Sequence, residues 1–102
     1  MTKLEGMIGL CTKAGKIIFG AQMAEDAAKH NGAKLLLVDA GASENTKKQI
    51  RDASEYANVP MIEIESGMLS RACGRSGRMA GAVMESGFAK RMYEIAGTAG
   101  KE

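Results

Sequence analysis

The chain has 102 residues, of which 45% are hydrophobic and 25% are charged, and its formal net charge at pH 7 is +2. These values are typical of one globular domain with its own core, and so small a net charge indicates nucleic-acid binding only weakly. One histidine and two cysteines without CxxC spacing exclude the usual zinc motifs, so we expect neither a metal nor a cofactor. No leader-like or transmembrane-length segment is present, which predicts a cytoplasmic protein without membrane contact.

The first part of the chain predicts a helix, a short strand and a second helix. Residues 2–5 fit a capping box, with a threonine cap and a glutamate three residues later, and Gly15 ends the helix that follows. Residues 16–20 are β-branched and aromatic between two glycines, which is typical of a short strand. From Ala21 the apolar residues recur at helical spacing until Asn31-Gly32 stops the helix.

Residues 33–39 predict the central strand of the fold. Four consecutive aliphatic residues, Leu35 to Val38, lie between Gly32 and a small polar run that starts at Gly41. A short apolar run between turn signals is typical of a strand that is buried on both faces. Strands of this kind occupy the middle of α/β sheets, because helices cover both faces.

The next segment predicts a helix and an edge strand. Ser43 is a good N-cap for a helix over residues 44–57, and Pro60 disfavours helical geometry just beyond it. Residues 61–65 alternate apolar and acidic side chains at their end. This pattern predicts a strand that is covered on one side and lies near an edge of the sheet.

The last part of the chain predicts a short helix, a strand and a final helix. Ser66 is expected to cap the short helix, which Gly74 closes, and a strand of small residues follows over 79–84. Ser86 is expected to cap the last helix. Residues 98–102 are predicted to be a flexible tail.

The resulting element order is α-β-α-β-α-β-α-β-α. Alternating elements with short connections place a sheet between layers of helices. We therefore predict a compact α/β domain over residues 1–97, a three-layer α/β/α sandwich with a four-stranded mixed sheet.

Basic and glycine-rich turns are the candidate functional features. In such a sandwich, loops converge at one end of the sheet and helix N-termini present N–H groups to anions there. Spacing suggests no catalytic grouping, and the phosphate motifs GxGxxG and GxxxxGK[ST] are absent, so we do not expect an enzyme. The candidate binding residues are Lys16, Gly20, Gln22, Lys47, Lys48, Arg75 and Arg78.

These charges could also be ordinary solvated surface. For Lys47 and Lys48 both interpretations stay open, because a helical charge can pair with a carboxylate four residues away. Arg75 and Arg78 favour binding, because they lie in a glycine-flanked loop without an acidic neighbour. The planar guanidinium suits phosphate groups and base edges.

Four stretches together resemble the ribosomal kink-turn-binding family, of the L-seven-Ae and L-thirty-e type, and in particular its short bacterial branch. They are residues 9–20, 32–35, 42–48 and 69–74. The first of them contains Ala14-Gly15-Lys16 and Gly20. The resemblance implies an α/β/α sandwich that binds structured RNA, kink-turn-like or ribosomal, and it makes association with the ribosome an expectation. It also implies that the RNA site combines residues 20–26 with the loop 74–78.

The sequence departs from the archaeal family pattern at the start of the second helix. Met23 stands where those members have a glutamate, and Asp26 stands where they have a lysine. We therefore expect weaker kink-turn recognition than the full motif gives. The alternative is a protein–protein interaction module that has lost this site, and a third interpretation is an enzyme with an anionic substrate and a pocket beside Arg75.

Overall fold

The computed structural model describes residues 2–99, with side chains for residues 2–97. The predicted order of helices and strands is confirmed. The elements are α1 (Lys3–Lys13), β1 (Ile17–Phe19), α2 (Ala21–His30), β2 (Leu35–Asp39), α3 (Glu44–Ala57), β3 (Met61–Ile64), α4 (Met68–Cys73), β4 (Ala80–Val83) and α5 (Ser86–Ala99).

The four strands form one mixed sheet in the order β1-β4-β2-β3. β2 and β3 are parallel, whereas β4 runs antiparallel to both β1 and β2. The predicted three-layer sandwich with a mixed sheet is therefore confirmed. β2 is an interior strand and β3 lies at an edge, as the aliphatic run and the alternating pattern predicted.

The core lies on both faces of β2, whose five residues are all buried. Leu36 and Val38 pack in a cluster with the alanines of α2 and with Ile50 of α3. Leu35 and Leu37 pack in the other cluster, which contains residues of α1, α4 and α5. Successive side chains of a strand point to opposite faces, so the uninterrupted aliphatic run supplies both halves of the core.

The small residues of β4 allow the two neighbouring strands to pack closely against it. All four residues of β4 are buried. A Cβ atom at Gly81 would lie 3.1 Å from the carbonyl oxygen of Ile18, on the neighbouring strand β1. A larger residue at position 81 would press against the backbone of β1, which explains the glycine at this position.

Two of the predicted helix caps are confirmed and two are wrong. The hydroxyls of Thr2 and Ser43 accept hydrogen bonds from backbone N–H groups three residues later, each at 3.1 Å. The N-cap of α4 is Gly67 rather than Ser66, and its positive φ of 86° favours glycine. Ser86 is the first residue of α5, and the carboxylate of Glu85 caps that helix instead, accepting from the N–H of Phe88 at 2.7 Å.

The predicted tail overlaps the end of α5. This helix runs to Ala99, so residues 98 and 99 are helical, and residues 100–102 lie outside the described part of the chain. No helix among residues 2–99 is long and apolar enough to cross a membrane.

The two ends of the sheet differ in character. At one end β1, β2 and β3 finish and α2, α3 and α4 begin, and the loop before β4 arrives at the same place. We call this the helix-start end. At the opposite end these three strands begin and β4 finishes.

Candidate functional site

The helix-start end brings together segments that are far apart in the chain. The backbone N–H of Gly20, before α2, donates to the carbonyl of Ala80 at 3.0 Å. The N–H of Asp39, at the end of β2, donates to the carbonyl of Met79 at 2.8 Å. The start of α2 and the loop 74–79 therefore lie at the same end of the sheet.

Asp39 ties two of the loops at this end to each other. Its side chain is fully buried and is the only buried polar or charged residue in the described chain. One carboxylate oxygen accepts from the N–H of Gly41 at 2.7 Å, and the other accepts from the N–H of Gly67 at 2.8 Å. The loops that lead into α3 and α4 are thus joined through one carboxylate, which stiffens the end of the sheet beside the candidate site.

Arg78 lies in the loop before β4, and its guanidinium is stacked on an aromatic ring. The guanidinium carbon is 5.5 Å from the centroid of the Phe19 ring on β1. The Nε atom is buried and has no hydrogen-bond partner among the described residues. The hydroxyl of Ser70 accepts from the backbone N–H of Arg78 at 3.0 Å, which anchors the loop at this residue. Arg78 is half-buried rather than fully exposed.

Arg75 occupies the outer part of the same loop. It is exposed, and its side chain forms no ion pair or hydrogen bond with the described residues, while its backbone N–H donates to the carbonyl of Ser70 at 3.1 Å. Gly74 and Gly77 on either side have positive φ values of 75° and 77°, which glycine adopts without strain. The loop therefore presents a free guanidinium on a backbone that is anchored at Ser70.

Gln22, at the start of α2, is partly engaged within the protein. Its amide donates to the carboxylate of Asp26 at 3.1 Å and accepts from the amide of Gln49 on α3 at 3.3 Å. Gln49 also donates to Glu25 at 2.7 Å, and the hydrogen bond from Lys29 holds the pKa of Glu25 below its ordinary value. The outer surface of α2 and α3 is thus a polar network, and Gln22 lies at its end.

Met23 is the large apolar side chain on the first turn of α2, next to Gln22. It is 56% exposed. A thioether is at best a weak hydrogen-bond acceptor, so this turn offers an apolar surface where a glutamate would offer a carboxylate.

Lys47 and Lys48 both have carboxylate partners. The ammonium of Lys47 is 3.7 Å from a carboxylate oxygen of Glu63 on β3, and most of the Lys47 side chain is buried. Lys48 pairs with Asp52 at 2.8 Å, and this hydrogen bond lowers the pKa of Asp52. These pairings favour the structural interpretation of the two lysines.

Lys16 lies at the opposite end of the sheet from the other predicted binding residues. It directly precedes β1, whereas Gly20 follows that strand. Four residues of extended chain span about 13 Å, so Lys16 does not lie beside Gly20 or Arg78. The structure brings together Gly20, Gln22 and the arginine loop, and it separates Lys16 from them.

Arg71 has a structural role beside this surface. Its guanidinium bridges Glu5 on α1 at 3.2 Å and Glu65 at 3.0 Å, and these hydrogen bonds, to Glu5 first, raise its pKa. A cleft of about 420 Å³ opens between α1 and α4 beside this bridge and reaches Gly74. The carboxylate that lines this cleft, Glu5, is therefore already paired.

Sequence reasoning missed three residues that shape the site. Phe19 supports Arg78, Ser70 anchors the loop and Asp39 joins the neighbouring loops. A signal was available only for Phe19, an aromatic residue next to the glycine that opens α2. The other two act through the folded backbone, and no local pattern marks them.

Comparison with known proteins agrees with this architecture. A family profile described as "Ribosomal protein L7Ae/L30e/S12e/Gadd45 family" matches residues 2–93. The chain belongs to this family.

Individual relatives match over most of their length. The chain is 35% identical over 94 residues to the RNA-binding protein YlxQ of Enterococcus faecium, covering 91% of this chain and 90% of that protein. It is 32% identical over 90 residues to the RNA-binding protein YlxQ of Bacillus subtilis (strain 168), covering 87% and 90%. The Giardia lamblia 15.5kD RNA binding protein has the same fold, with a TM-score of 0.73, 21% identity and coverage of 93% and 82%.

Proposed function

We propose that this protein binds structured RNA, without enzymatic activity, through the helix-start end of the sheet. The observation that carries the proposal is the pair of arginines in the loop 74–78. Arg75 is exposed and unpaired among the described residues, and the guanidinium of Arg78 lies over the Phe19 ring beside the start of α2. Arginine suits RNA because its guanidinium donates in pairs to phosphates and stacks against bases.

The start of α2 supplies a second kind of contact. Gly20 is its N-cap and makes no side-chain capping bond, and the first turn contains no acidic residue. The first backbone N–H groups of a helix have no intrahelical partner, and the helix dipole favours an anion there. A phosphate placed at this turn would meet these N–H groups on one side and the arginine loop on the other.

The names of the two relatives support RNA as the ligand. Both carry the description "RNA-binding protein", and each match covers about nine-tenths of the relative. We infer that the RNA is kink-turn-like or ribosomal, and that the protein associates with the ribosome, because the chain belongs to a family named for ribosomal proteins. Two free thiols suit a reducing compartment, so a cytoplasmic location is part of the proposal.

The test is a fluorescence titration of one kink-turn RNA and one plain hairpin at several salt concentrations. Three to five phosphate contacts should give a slope of log affinity against log salt of roughly −2 to −5, by analogy with counterion release. Arg75→Ala should weaken binding, whereas Lys90→Ala, which removes an exposed charge from α5, should not. A flat salt response, or no binding of either RNA at low salt, would refute the proposal.

A protein-interaction module is the second candidate, and exposed Met23 is the observation that favours it. An apolar thioether at the start of α2 suits a protein partner better than it suits a guanine edge. A partner that stays bound after nuclease treatment, and is lost in Met23→Gln but kept in Arg75→Ala, would support this candidate.

A further inference from the structure

We propose that Lys16 and Lys34, at the opposite end of the sheet, form a second contact surface for the phosphate backbone of the same RNA. This inference rests on the proposed function, because it assigns a second segment of that RNA to a separate part of the protein. About 13 Å of extended chain separates Lys16 from Gly20.

The two lysines are neighbours across the end of β4. The carbonyl of Lys16 accepts from the N–H of Met84 at 2.8 Å, and the N–H of Lys34 donates to the carbonyl of Val83 at 2.8 Å. They therefore precede the two strands that flank β4, and their backbones lie about 10 Å apart. Charges at this separation can contact different phosphates of one strand.

The sheet register places both lysines towards the same layer. Ile18 and Leu36 pack in the cluster on the side of α2 and α3. Lys16 precedes Ile18 by two residues and Lys34 precedes Leu36 by two residues, so each shares the face of its neighbour. The two charges reinforce each other on one side of the sheet.

The charges of Lys16 and Lys34 are not neutralised within the described part of the protein, in contrast to those of several other lysines. Lys29, Lys47 and Lys48 each have a carboxylate within 4 Å. Lys16 and Lys34 are exposed, and neither has an ion-pair partner among residues 2–97. Exposed Lys13 precedes Lys16 by three residues and adds to the basic character of this end.

Glu85 is the carboxylate next to this surface, and it is engaged elsewhere. It follows Met84, is half-buried, and accepts the N–H of Phe88 at the start of α5. Its charge is therefore directed to the helix terminus. The end of the sheet keeps a net positive charge, and the complementary partner is a polyanion.

β1 connects the two ends and lies at the edge of the sheet. Its three residues are half-buried, and Phe19 at its end carries Arg78. Phe19 packs on the side of α1 and α4, whereas Lys16 shares the face of Ile18 on the side of α2, so an RNA strand that leaves Arg78 reaches Lys16 by passing around this edge strand. This continuity favours RNA over an unrelated acidic protein as the occupant.

The test compares one kink-turn RNA with a flanking stem of either about two or about fifteen base pairs, since an A-form stem extends roughly 3 Å for each pair and only the long stem spans the separation of about 13 Å. The test variant is Lys16→Ala with Lys34→Ala. The control is Arg51→Ala with Lys90→Ala, which removes two exposed charges without an ion-pair partner from other positions in the described chain. With the long stem, the salt slope of the test variant should be shallower by about two and that of the control unchanged. With the short stem, both variants should match the wild type.

The outcomes separate this inference from the proposed function. If Arg75→Ala weakens binding but the two double variants behave alike with the long stem, the second surface is refuted and the first stands. An equal decrease in the salt slope of the Lys16→Ala with Lys34→Ala variant with both stems would also refute it, because the lysines would then not act on a distant segment. If the wild type binds neither RNA at low salt, both proposals fail.

Discussion

The guanidinium carbon of Arg78 lies 5.5 Å from the centroid of the Phe19 ring, so the most constrained arginine of the site is supported by the edge strand of the sheet. The two residues are distant in sequence and meet because β1 pairs with β4, with Phe19 opposite Gly81. A ring beneath a guanidinium restricts its rotation. Less conformational entropy is then lost when Arg78 binds a ligand.

We predict that Phe19→Leu weakens RNA binding through Arg78. The change removes the cation–π contact, worth about 0.5–1 kcal/mol, so affinity should fall roughly two- to fivefold. Phe88→Leu is the matched control, because Phe88 is also half-buried and packs against the same core cluster as Phe19, but only Phe19 has a guanidinium over its ring. RNA titration and thermal melting of both variants provide the measurement. Equal affinities for the two variants would contradict the role of Phe19.

Arg78→Met should separate stability from binding. The substitution keeps an unbranched apolar stem on Phe19 and removes the buried, unpaired Nε. An unpaired buried donor costs about 1–3 kcal/mol, which exceeds the cation–π contact, so the free energy of unfolding should rise by roughly 1 kcal/mol. RNA affinity should fall at the same time. Denaturant titration measures the stability, and Arg75→Met is the exposed control that should change it by less than about 0.5 kcal/mol. A clear loss of stability in Arg78→Met would show that the guanidinium has a structural partner.

Asp39→Ala should loosen the helix-start end. The N–H groups of Gly41 and Gly67 would lose a charged acceptor. Since each such bond contributes about 1.5–3 kcal/mol, we expect the free energy of unfolding to fall by roughly 3 kcal/mol. Asp52→Ala, which breaks only the exposed and solvent-screened pair with Lys48, should cost much less. Denaturant titrations of the two variants give the comparison, and similar costs would rule out Asp39 as the tie between the loops.

The buried thiol of Cys11 predicts a pH dependence of stability. Burial, reinforced by the charge of Glu85, raises the pKa of Cys11 to about 11. The unfolded chain releases this proton near pH ~8.5, so between these values the folded state binds more protons and stability falls as pH rises. The stability advantage of wild type over Cys11→Ala should therefore shrink from pH 9 to pH 11, measured by denaturant titration. A constant difference across this range would contradict the raised pKa.

The start of α2 gives a prediction about the kind of RNA. Met23→Glu with Asp26→Lys should increase affinity for a kink-turn over a plain hairpin, because a carboxylate can accept from a guanine edge and a lysine attracts phosphate. The double variant also loses a hydrogen bond, since Asp26 accepts from the amide of Gln22. Met23→Glu alone keeps that bond and is the control. Tight kink-turn binding by the wild type would show that Met23 and Asp26 do no harm. No gain in either variant would mean that the helix start serves another ligand.

Much of the fold could be predicted because its signals are local. The aliphatic run of β2 and the caps at Thr2 and Ser43 each act within a few residues. The cap at Ser66 was wrong because the chain turns at Gly67 with positive φ, a geometry that depends on the bond from its N–H to Asp39. That contact joins residues 28 positions apart, and no local pattern encodes it.

The candidate site was harder to predict, because it depends on strand direction. The loop with Arg75 was visible as a basic turn between glycines. Lys16 and Gly20 also appeared as one cluster in the sequence, yet a strand separates them. Only the register of β1 against β4 shows that Gly20 meets the arginine loop and that Lys16 faces Lys34 across β4.

The position of β4 also has a consequence for synthesis. This strand is the last of the four strands in the chain, yet it lies between β1 and β2. Until residues 80–83 have left the ribosome, β1 has no strand to pair with. One backbone edge of the aliphatic strand β2 is then also unpaired. Such an edge is a template for aggregation. Translation that stops before residue 80 should therefore yield an aggregation-prone fragment rather than a smaller folded domain, and the sheet can assemble only when synthesis is nearly complete.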